Sequence, residues 1–220
     1  KPVFVDVDQN TYLLDLKKIQ TAITSSTRAV LPVHLFGASV DMDNLICLAK
    51  QYGLKVIEDC AQACGASWGG RSVGGWGDIG CFSFFPTKNL GAAGDGGAVT
   101  TNDPYLAKRM RELAIHGMPR RYVHNELGYN SRLDALQAAV LNVKLPKLSQ
   151  WIKKREEIAL RYFELLENLP GIELPFNKVA LKGKNAWNQF VVRVRDSSLC
   201  QESGMKQLET TLTSKKHGLP

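Results

Sequence analysis

An acidic residue ends the apolar run around Val56 and Ile57. Asp59 closes a predicted strand over 55–59, at the carboxyl edge where open parallel sheets bind their ligands. A carboxylate at a buried strand end is costly unless a cation or a hydrogen-bond donor meets it. Asp59 is therefore a candidate ligand-binding residue, and its alternative role is to cap the turn that follows.

A lysine lies between an aromatic run and a glycine-rich segment. Lys88 follows Phe82–Phe85 and precedes four glycines at 91, 94, 96 and 97. Partial burial disfavours an ammonium ion and makes the amine a usable nucleophile. Lysines of this kind form Schiff bases with carbonyl compounds and with pyridoxal phosphate. The alternative is a point charge that binds phosphate.

Together, the acid and the lysine match the two anchors of pyridoxal 5'-phosphate. In such sites an acid pairs with the pyridine nitrogen and a lysine holds the aldehyde carbon. The glycines would let the backbone approach the cofactor closely. Neither a Walker phosphate loop nor the Rossmann glycine spacing occurs, which weakens both nucleotide alternatives.

The elements that must position these residues alternate between strands and helices. Strands are predicted at 3–7, 29–33, 55–59, 81–85 and 98–101. Helices are predicted at 17–22, after an N-cap at Asp41 up to Gly53, and from Asp103-Pro104 towards Ile115. Such alternation predicts an α/β fold with a mostly parallel sheet covered by helices.

The pattern changes beyond residue 132. Residues 132–168 are helix-rich, Pro146 interrupts them, and a long helix follows. Short strands are predicted at 172–174 and 187–194, before a helix-like tail. We therefore expect a large domain over 1–150, and a linking helix with the beginning of a smaller α+β domain over 151–220.

Composition excludes several classes of protein. The 220 residues are 44% hydrophobic and 22% charged, which excludes a disordered or collagen-like chain. No apolar run is long enough for a transmembrane helix and no signal pattern opens the sequence, so no membrane partner is expected. The net charge of +7 is spread over helix faces, without nucleic-acid-binding motifs. Five cysteines, an odd number, favour free thiols in a reducing cytoplasm.

Several ordered motifs closely resemble the DegT/DnrJ/StrS-type nucleotide-sugar aminotransferases. The resemblance runs from the first residues to about 175. It rests on PVHLFG at 32–37, EDCAQACGA at 58–66, GD at 77–78, FSFFPTKN at 82–89, GDGG at 94–97, HG at 116–117, LGYNSRLD at 127–134 and QAA at 137–139.

This resemblance implies a fold-type-I pyridoxal-phosphate enzyme that is active as a homodimer with a shared site. By motif, Lys88 would hold the cofactor covalently and Asp59 would pair with its pyridine nitrogen. Gln62 would bind the phenolic oxygen and Ser83 the phosphate. Asn130 would reach the phosphate across the dimer interface. Ser83 could instead be an inward strand hydroxyl, and Asn130 a turn residue.

The implied reaction moves an amino group from L-glutamate to a keto group of a nucleotide-diphosphate sugar. Members of the family carry more chain on both sides, so the large domain is expected here without its N-terminal part. One rival is another fold-type-I enzyme, such as a lyase or a desulfurase that uses Cys200. Another is a pyridoxal-binding regulator or fragment without turnover. His34 is predicted to make a structural hydrogen bond rather than to act as a base.

Overall fold

The computed structural model describes residues 1–174 and 182–195. Its helices are α1 (Leu16–Ala22), α2 (Met42–Gln51), α3 (Pro104–Ala114), α4 (Ala135–Lys144) and α5 (Leu148–Leu166). Its strands are β1 (Ala29–Val30), β2 (Lys55–Asp59), β3 (Ser67–Trp68), β4 (Arg71–Ser72), β5 (Ile79–Ser83), β6 (Gly97–Thr100), β7 (Ile172–Glu173) and β8 (Arg193–Val194). Short 3-10 turns lie at Leu35–Gly37 and Leu145–Lys147.

The central sheet confirms the predicted α/β class. Its strand order is β1-β2-β5-β6, with parallel pairing from β1 to β2 to β5. Strand β6 closes the sheet antiparallel to β5. Asp59 at the end of β2 pairs with Cys81 of β5, so Ser83 lies two residues further along the same edge. Strand β5 begins two residues earlier than predicted, since Ile79 pairs with Ile57.

The predicted strand at 3–7 is wrong. Phe4 is 93% exposed, and Val7 forms only an isolated bridge with Leu14. The Asp8 carboxylate instead accepts hydrogen bonds from the backbone N–H groups of Asn10 and Thr11, which folds the chain into a turn. Alternating valines form a strand only where a neighbouring strand supplies the backbone partners.

The helix boundaries follow the predicted capping residues. The Asp41 carboxylate accepts the backbone N–H of Asn44 at the start of α2, and Gly53 follows its end with a φ of 63°. The Asp103 carboxylate caps α3, whose first residue is Pro104. These capping residues are local signals, and the corresponding predictions are confirmed.

Pro146 separates α4 from α5, as expected. It lies in the 3-10 turn between the two helices, and α5 then runs for 19 residues. The short strand near 172 is confirmed as β7, whereas the strand predicted over 187–194 is reduced to β8. The backbone N–H groups of Asn188 and Gln189 donate to the Phe36 carbonyl instead of to a strand. The predicted helical tail lies outside the described residues.

Two buried clusters flank the sheet edge that carries the candidate site. One packs α2 against β2, with Met42 and Leu45 fully buried. The other packs Leu141 of α4 and Ile152 of α5 against the segment after β2. Ile152 packs against residues that precede position 150 in the sequence, so the domain boundary proposed near residue 150 stays a prediction. Among the described residues, none of the helices combines the length and apolar character needed to cross a bilayer.

Candidate functional site

The candidate site begins where β2 ends. The Asp59 carbonyl accepts the backbone N–H of His34, and Asp59 donates its own N–H to the Pro32 carbonyl. Val33 and Asp59 therefore form a parallel bridge that extends the β1–β2 pairing. The loop that carries Phe36 is thus aligned with the end of β2.

The Asp59 side chain is half-buried and only partly satisfied. Its Oδ1 accepts the backbone N–H of Ala61 at 2.9 Å, the turn-capping role anticipated as the alternative. Among the hydrogen bonds of the described residues, Oδ2 has no partner. The carboxylate can therefore cap its turn with one oxygen and receive a ligand N–H with the other.

Gln62 lies in the turn after Asp59, and its orientation is set by a backbone contact. Phe36 donates its N–H to Oε1 of Gln62 at 2.7 Å. Because Oε1 accepts this bond, the Nε2 amino group carries the two remaining donors of the side chain. Phe36 holds a φ of 60°, which is unusual for a residue with a side chain. The half-buried Gln62 therefore presents donors to a ligand oxygen.

Ser83 is the last residue of β5. Its Oγ accepts the backbone N–H of Phe85 at 3.3 Å, and the hydroxyl proton remains available for an acceptor. Ser83 also pairs with Gly97 of β6. The side chain is half-buried at the strand end and fits either predicted role.

Lys88 closes a tight turn five residues after Ser83. Its backbone N–H donates to the Phe85 carbonyl at 2.9 Å, with Pro86 at the second position of the turn. The side chain is half-buried, as predicted. No ion pair or hydrogen bond of its Nζ occurs among the described residues. A side chain at Gly91 would collide with the Pro86 carbonyl, so the close approach there requires glycine.

Helix α4 holds the far side of residues 84–93, which we call the lysine loop. Oε1 of Gln137 accepts the backbone N–H of Ala93 at 2.8 Å, and Nζ of Lys144 donates to the Gly91 carbonyl. The loop also folds back on β5, since Ala92 donates its N–H to the Phe84 carbonyl. The lysine loop is therefore fixed at several points by the residues around it.

Residues that the sequence analysis missed hold the other side of this loop. Asn89, next to Lys88, donates from Nδ2 to the Ala186 carbonyl at 2.5 Å. Its Oδ1 accepts Nδ2 of Asn188 at 2.6 Å. These residues lie about a hundred positions apart. No local pattern could have joined them.

His34 and Glu58 form a fully buried pair next to Asp59. Nδ1 of His34 accepts the backbone N–H of Val40 at 3.1 Å, so the ring carries its proton on Nε2 and donates it to Glu58. The predicted structural role of His34 is confirmed. Burial raises the pKa of the Glu58 carboxyl, but hydrogen bonds from His34, Gly77 and Gly74 lower it by more. The net pKa lies below the usual value, and Glu58 stays ionised.

The same region holds a possible metal-binding trio, which we interpret as structural. Ligand atoms of His34, Glu58 and Cys60 lie within 4.8 Å of one another. Both Glu58 oxygens already accept N–H groups, and both His34 nitrogens are in hydrogen bonds. Burial, together with nearby acids, raises the pKa of the Cys60 thiol. A neutral thiol binds a metal cation poorly, and so do nitrogen and oxygen atoms that are already in hydrogen bonds.

Asn130 is the predicted site residue that follows helix α3 rather than a strand of the central sheet. It forms an antiparallel bridge with Ile115 after α3, and its side chain is exposed. Its Oδ1 accepts Nε of Arg132 at 3.2 Å, so its amide group presents donors beside a guanidinium. Among the described residues, no hydrogen bond joins Asn130 to the other four.

The four groups at the sheet edge fit pyridoxal phosphate chemically. The cofactor offers a pyridine nitrogen, a phenolic oxygen, a phosphate and an aldehyde. The site offers a half-free carboxylate at Asp59, amide donors at Gln62, a hydroxyl at Ser83 and an amine at Lys88. Each cofactor group therefore has a complementary partner among these residues.

Known proteins resemble this chain over most of its length. The model of the DegT/DnrJ/EryC1/StrS aminotransferase family matches residues 1–217. A pleiotropic regulatory protein of Geobacillus stearothermophilus is 46% identical, over 88% of this chain and 52% of that protein. A UDP-N-acetyl-3-dehydro-alpha-D-glucosamine 3-aminotransferase of Acidithiobacillus ferrooxidans is 47% identical over the same shares.

A solved structure has the same fold. It is S. venezuelae DesV in complex with a ketimine intermediate, with a TM-score of 0.85 and 46% identity. The match covers 90% of this chain and 53% of that one. The chain thus spans about half the length of the relatives it matches.

Proposed function

Because the chain belongs to the DegT/DnrJ/EryC1/StrS aminotransferase family, we propose that it is part of a sugar aminotransferase. Members of this family depend on pyridoxal phosphate. The proposed reaction moves an amino group from L-glutamate to a keto group of a nucleotide-diphosphate sugar. The observation that carries the proposal is the placement of Asp59, Ser83 and the lysine loop at one edge of the sheet.

In this proposal, the cofactor supplies an electron sink for the negative charge that develops at the amino-bearing carbon. Oδ2 of Asp59 holds the proton on the pyridine nitrogen, while Oδ1 stays on the N–H of Ala61. Nε2 of Gln62 donates to the phenolic oxygen, because Oε1 is held by Phe36. The hydroxyl of Ser83 donates to the phosphate.

Lys88 has two roles in the proposed reaction. Its Nζ would hold the cofactor covalently in the absence of substrate. As a free amine, Nζ would serve as the base that takes the proton from Cα of the donor and, once protonated, as the acid that gives this proton back. Both roles require Nζ to stay near the reacting carbon, and the hydrogen bonds around Gly91 and Asn89 support this by fixing the loop.

The nucleotide-sugar substrate is proposed from the relatives and from charge. The 3-aminotransferase of A. ferrooxidans carries a UDP-sugar in its name. A net charge of +7 suits a diphosphate-bearing substrate. We place the reaction in the cytoplasm, where thiols such as Cys60 and Cys81 remain free.

A shared site in a homodimer is the proposed assembly. Leu136 and Leu127, on either side of Asn130, are 77% and 96% exposed. Such apolar side chains favour burial against another surface. Oδ1 of Asn130 accepts a hydrogen bond from Arg132, so the N–H donors of Asn130 remain free. These donors and the guanidinium would together bind the phosphate of the cofactor held by the second subunit.

A desulfurase is less compatible with the thiols of Cys60, Cys64 and Cys81. That chemistry needs a reactive thiolate. Burial raises the pKa of Cys60, Cys64 and Cys81, which keeps these thiols protonated. Cys200, the candidate named from the sequence, lies outside the described residues.

A regulator that binds the cofactor without turnover is the second candidate, because one relative is named a regulatory protein. To separate the two, the protein is loaded with pyridoxal phosphate and mixed with L-glutamate, and the absorbance of the bound cofactor is followed. A glutamate-dependent change that keto sugars reverse supports the aminotransferase. Bound cofactor that L-glutamate does not change contradicts it. Lys88→Ala, which lacks the amine, is the control.

A further inference from the structure

The segment 185–189 contacts the turn at Leu35–Gly37 (the Phe36 loop), which orients Gln62, and the loop that carries Lys88. Ala186 donates its N–H to the Gly37 carbonyl, and Asn188 donates its N–H to the Phe36 carbonyl, both at 2.9 Å. The contact is so close that a side chain at Gly37 would lie 2.8 Å from the backbone nitrogen of Trp187. The segment is therefore packed directly on the loop that orients Gln62.

The same segment is hydrogen-bonded to the lysine loop through the side chain of Asn89. Asn89 is buried, and both ends of its amide are used: Nδ2 donates to the Ala186 carbonyl, and Oδ1 accepts Nδ2 of Asn188. A buried amide with both ends bonded has one orientation available, because turning it would place donor against donor. Since Asn89 follows Lys88 directly, this contact restrains the backbone of the lysine.

Ala186 and Asn188 both take part in the two contacts, and Asn188 is the one that uses its side chain. Its backbone N–H bonds Phe36, whose own N–H holds Gln62, and its side chain bonds Asn89, which adjoins Lys88. A continuous hydrogen-bonded path therefore runs from Gln62 to the lysine loop through one residue of a distant segment.

Helix α5 fixes this path from the other side. Nη1 of Arg155 donates to the carbonyls of Trp187 and Asn188, at 2.9 and 3.4 Å. The backbone of the segment is thus held between α5 and the Phe36 loop, and the side chain of Asn188 is directed at Asn89.

We propose that Asn188 is a positioning residue, which sets Nζ of Lys88 and the amide of Gln62 in a fixed relation across the cofactor-binding edge. The inference rests on the proposed function, since it assigns a role towards the same cofactor. Asn188 acts through Asn89 and Phe36. A displacement of about 1 Å at a reacting group can cost about 100-fold in rate.

The test uses protein loaded with pyridoxal phosphate and compares Asn188→Ala, Asn89→Ala and the double variant. Readouts are the rate at which a borohydride-reducible link forms at Lys88, and the pH midpoint of the absorbance change of the bound cofactor. We expect each single variant to slow the link about 10- to 100-fold, by misplacing Nζ. We also expect the midpoint to move by about one unit, because the surroundings of the link change. Asn168→Ala, a change at an exposed asparagine, should match the wild type.

The double variant separates positioning from general stability. Because Asn89→Ala already removes the bond to Asn188, the double variant should be no slower than Asn89→Ala if both residues act through this contact, whereas independent effects would multiply. Should Asn188→Ala fail to fold, Asn188→Asp provides the test. It keeps the backbone N–H that donates to Phe36 but replaces the donor to Oδ1 of Asn89 with an oxygen, so the link should again form more slowly than in the wild type.

The outcomes distinguish this inference from the proposed function. No reducible link in the wild-type protein would overturn both. A wild-type link at Lys88, with unchanged rate and midpoint in the Asn188 and Asn89 variants, would overturn the positioning role alone. So would multiplicative effects in the double variant.

Discussion

Nε2 of His34 lies 3.1 Å from Oε2 of Glu58, and neither side chain is exposed to solvent. The carboxylate also accepts the backbone N–H groups of Gly74, Trp76 and Gly77. One buried side chain thus organises the turn at 74–77, while the next residue along the strand, Asp59, faces the candidate site. The stability of the sheet edge therefore depends on a charge that has no proposed role in the reaction.

Replacing Glu58 with glutamine should destabilise the fold. Each carboxylate oxygen accepts two N–H groups, so an amide at this position would set its own N–H donors against two of them. We expect a loss of about 3 kcal/mol or more in the free energy of unfolding. Urea unfolding measures this, with Glu157→Gln on the exposed face of α5 as the matched control. Equal stability of Glu58→Gln and the wild type would show that the pair is dispensable.

The same pair predicts a dependence of stability on pH. The pKa of Glu58 is lowered in the folded protein, so its contribution is complete above the unfolded pKa of about 4.3. It is lost as the pH falls through the lower folded pKa. The stability difference between the wild type and Glu58→Gln should therefore be largest near neutral pH and shrink below about pH 4. A difference that stays constant down to pH 3 would rule out ionised Glu58 as its source.

Much of the fold could be predicted because its signals are local. Asp41 and Asp103 mark helix starts by their own side chains, and Pro146 interrupts the helical hydrogen bonds because it lacks an N–H group. The strand prediction at 3–7 failed because pairing depends on a partner elsewhere in the chain. Most of the strand predicted over 187–194 failed for a related reason, since the N–H groups of Asn188 and Gln189 bond Phe36.

The candidate site also contains residues that the sequence could predict and contacts that it could not. Asp59 and Lys88 were identified because each lies at or just after a strand end with a characteristic residue type, whereas Gln62, Ser83 and Asn130 were assigned through the resemblance to the family. The contact of Asn89 with Asn188 was missed, since it joins positions that are close only after folding. The partner of His34 could not be named either, because Glu58 lies on another strand.

Asp59→Asn should separate turnover from folding. Asparagine keeps an oxygen for the N–H of Ala61, so the turn is preserved, but a neutral amide cannot hold a proton on the pyridine nitrogen. We expect weaker cofactor binding and a larger loss of turnover, about 100- to 1,000-fold. Cofactor titration and steady-state rates check this, with Asp103→Asn, another capping aspartate, as the control. Wild-type rates in Asp59→Asn would leave Asp59 with its capping role only.

Subunit mixing tests the shared site. Lys88→Ala and Asn130→Ala homodimers should each be inactive or weak, because one lacks the amine and the other a phosphate donor. A mixed dimer would contain one site with both residues intact, provided that Asn130 acts across the interface. Activity should therefore rise on mixing, and size-exclusion chromatography should show dimers. No recovery in mixed dimers would contradict a site completed by the second subunit.

The lysine that holds the cofactor can be identified directly. The protein is loaded with pyridoxal phosphate, reduced with borohydride, digested and mapped by mass spectrometry, beside Lys88→Arg as the control. We expect the pyridoxyl mass on the peptide that contains Lys88, and no specific label in the variant, because a guanidinium does not form this link. A label on another lysine, or equal labelling of the Lys88→Arg protein, would contradict this expectation.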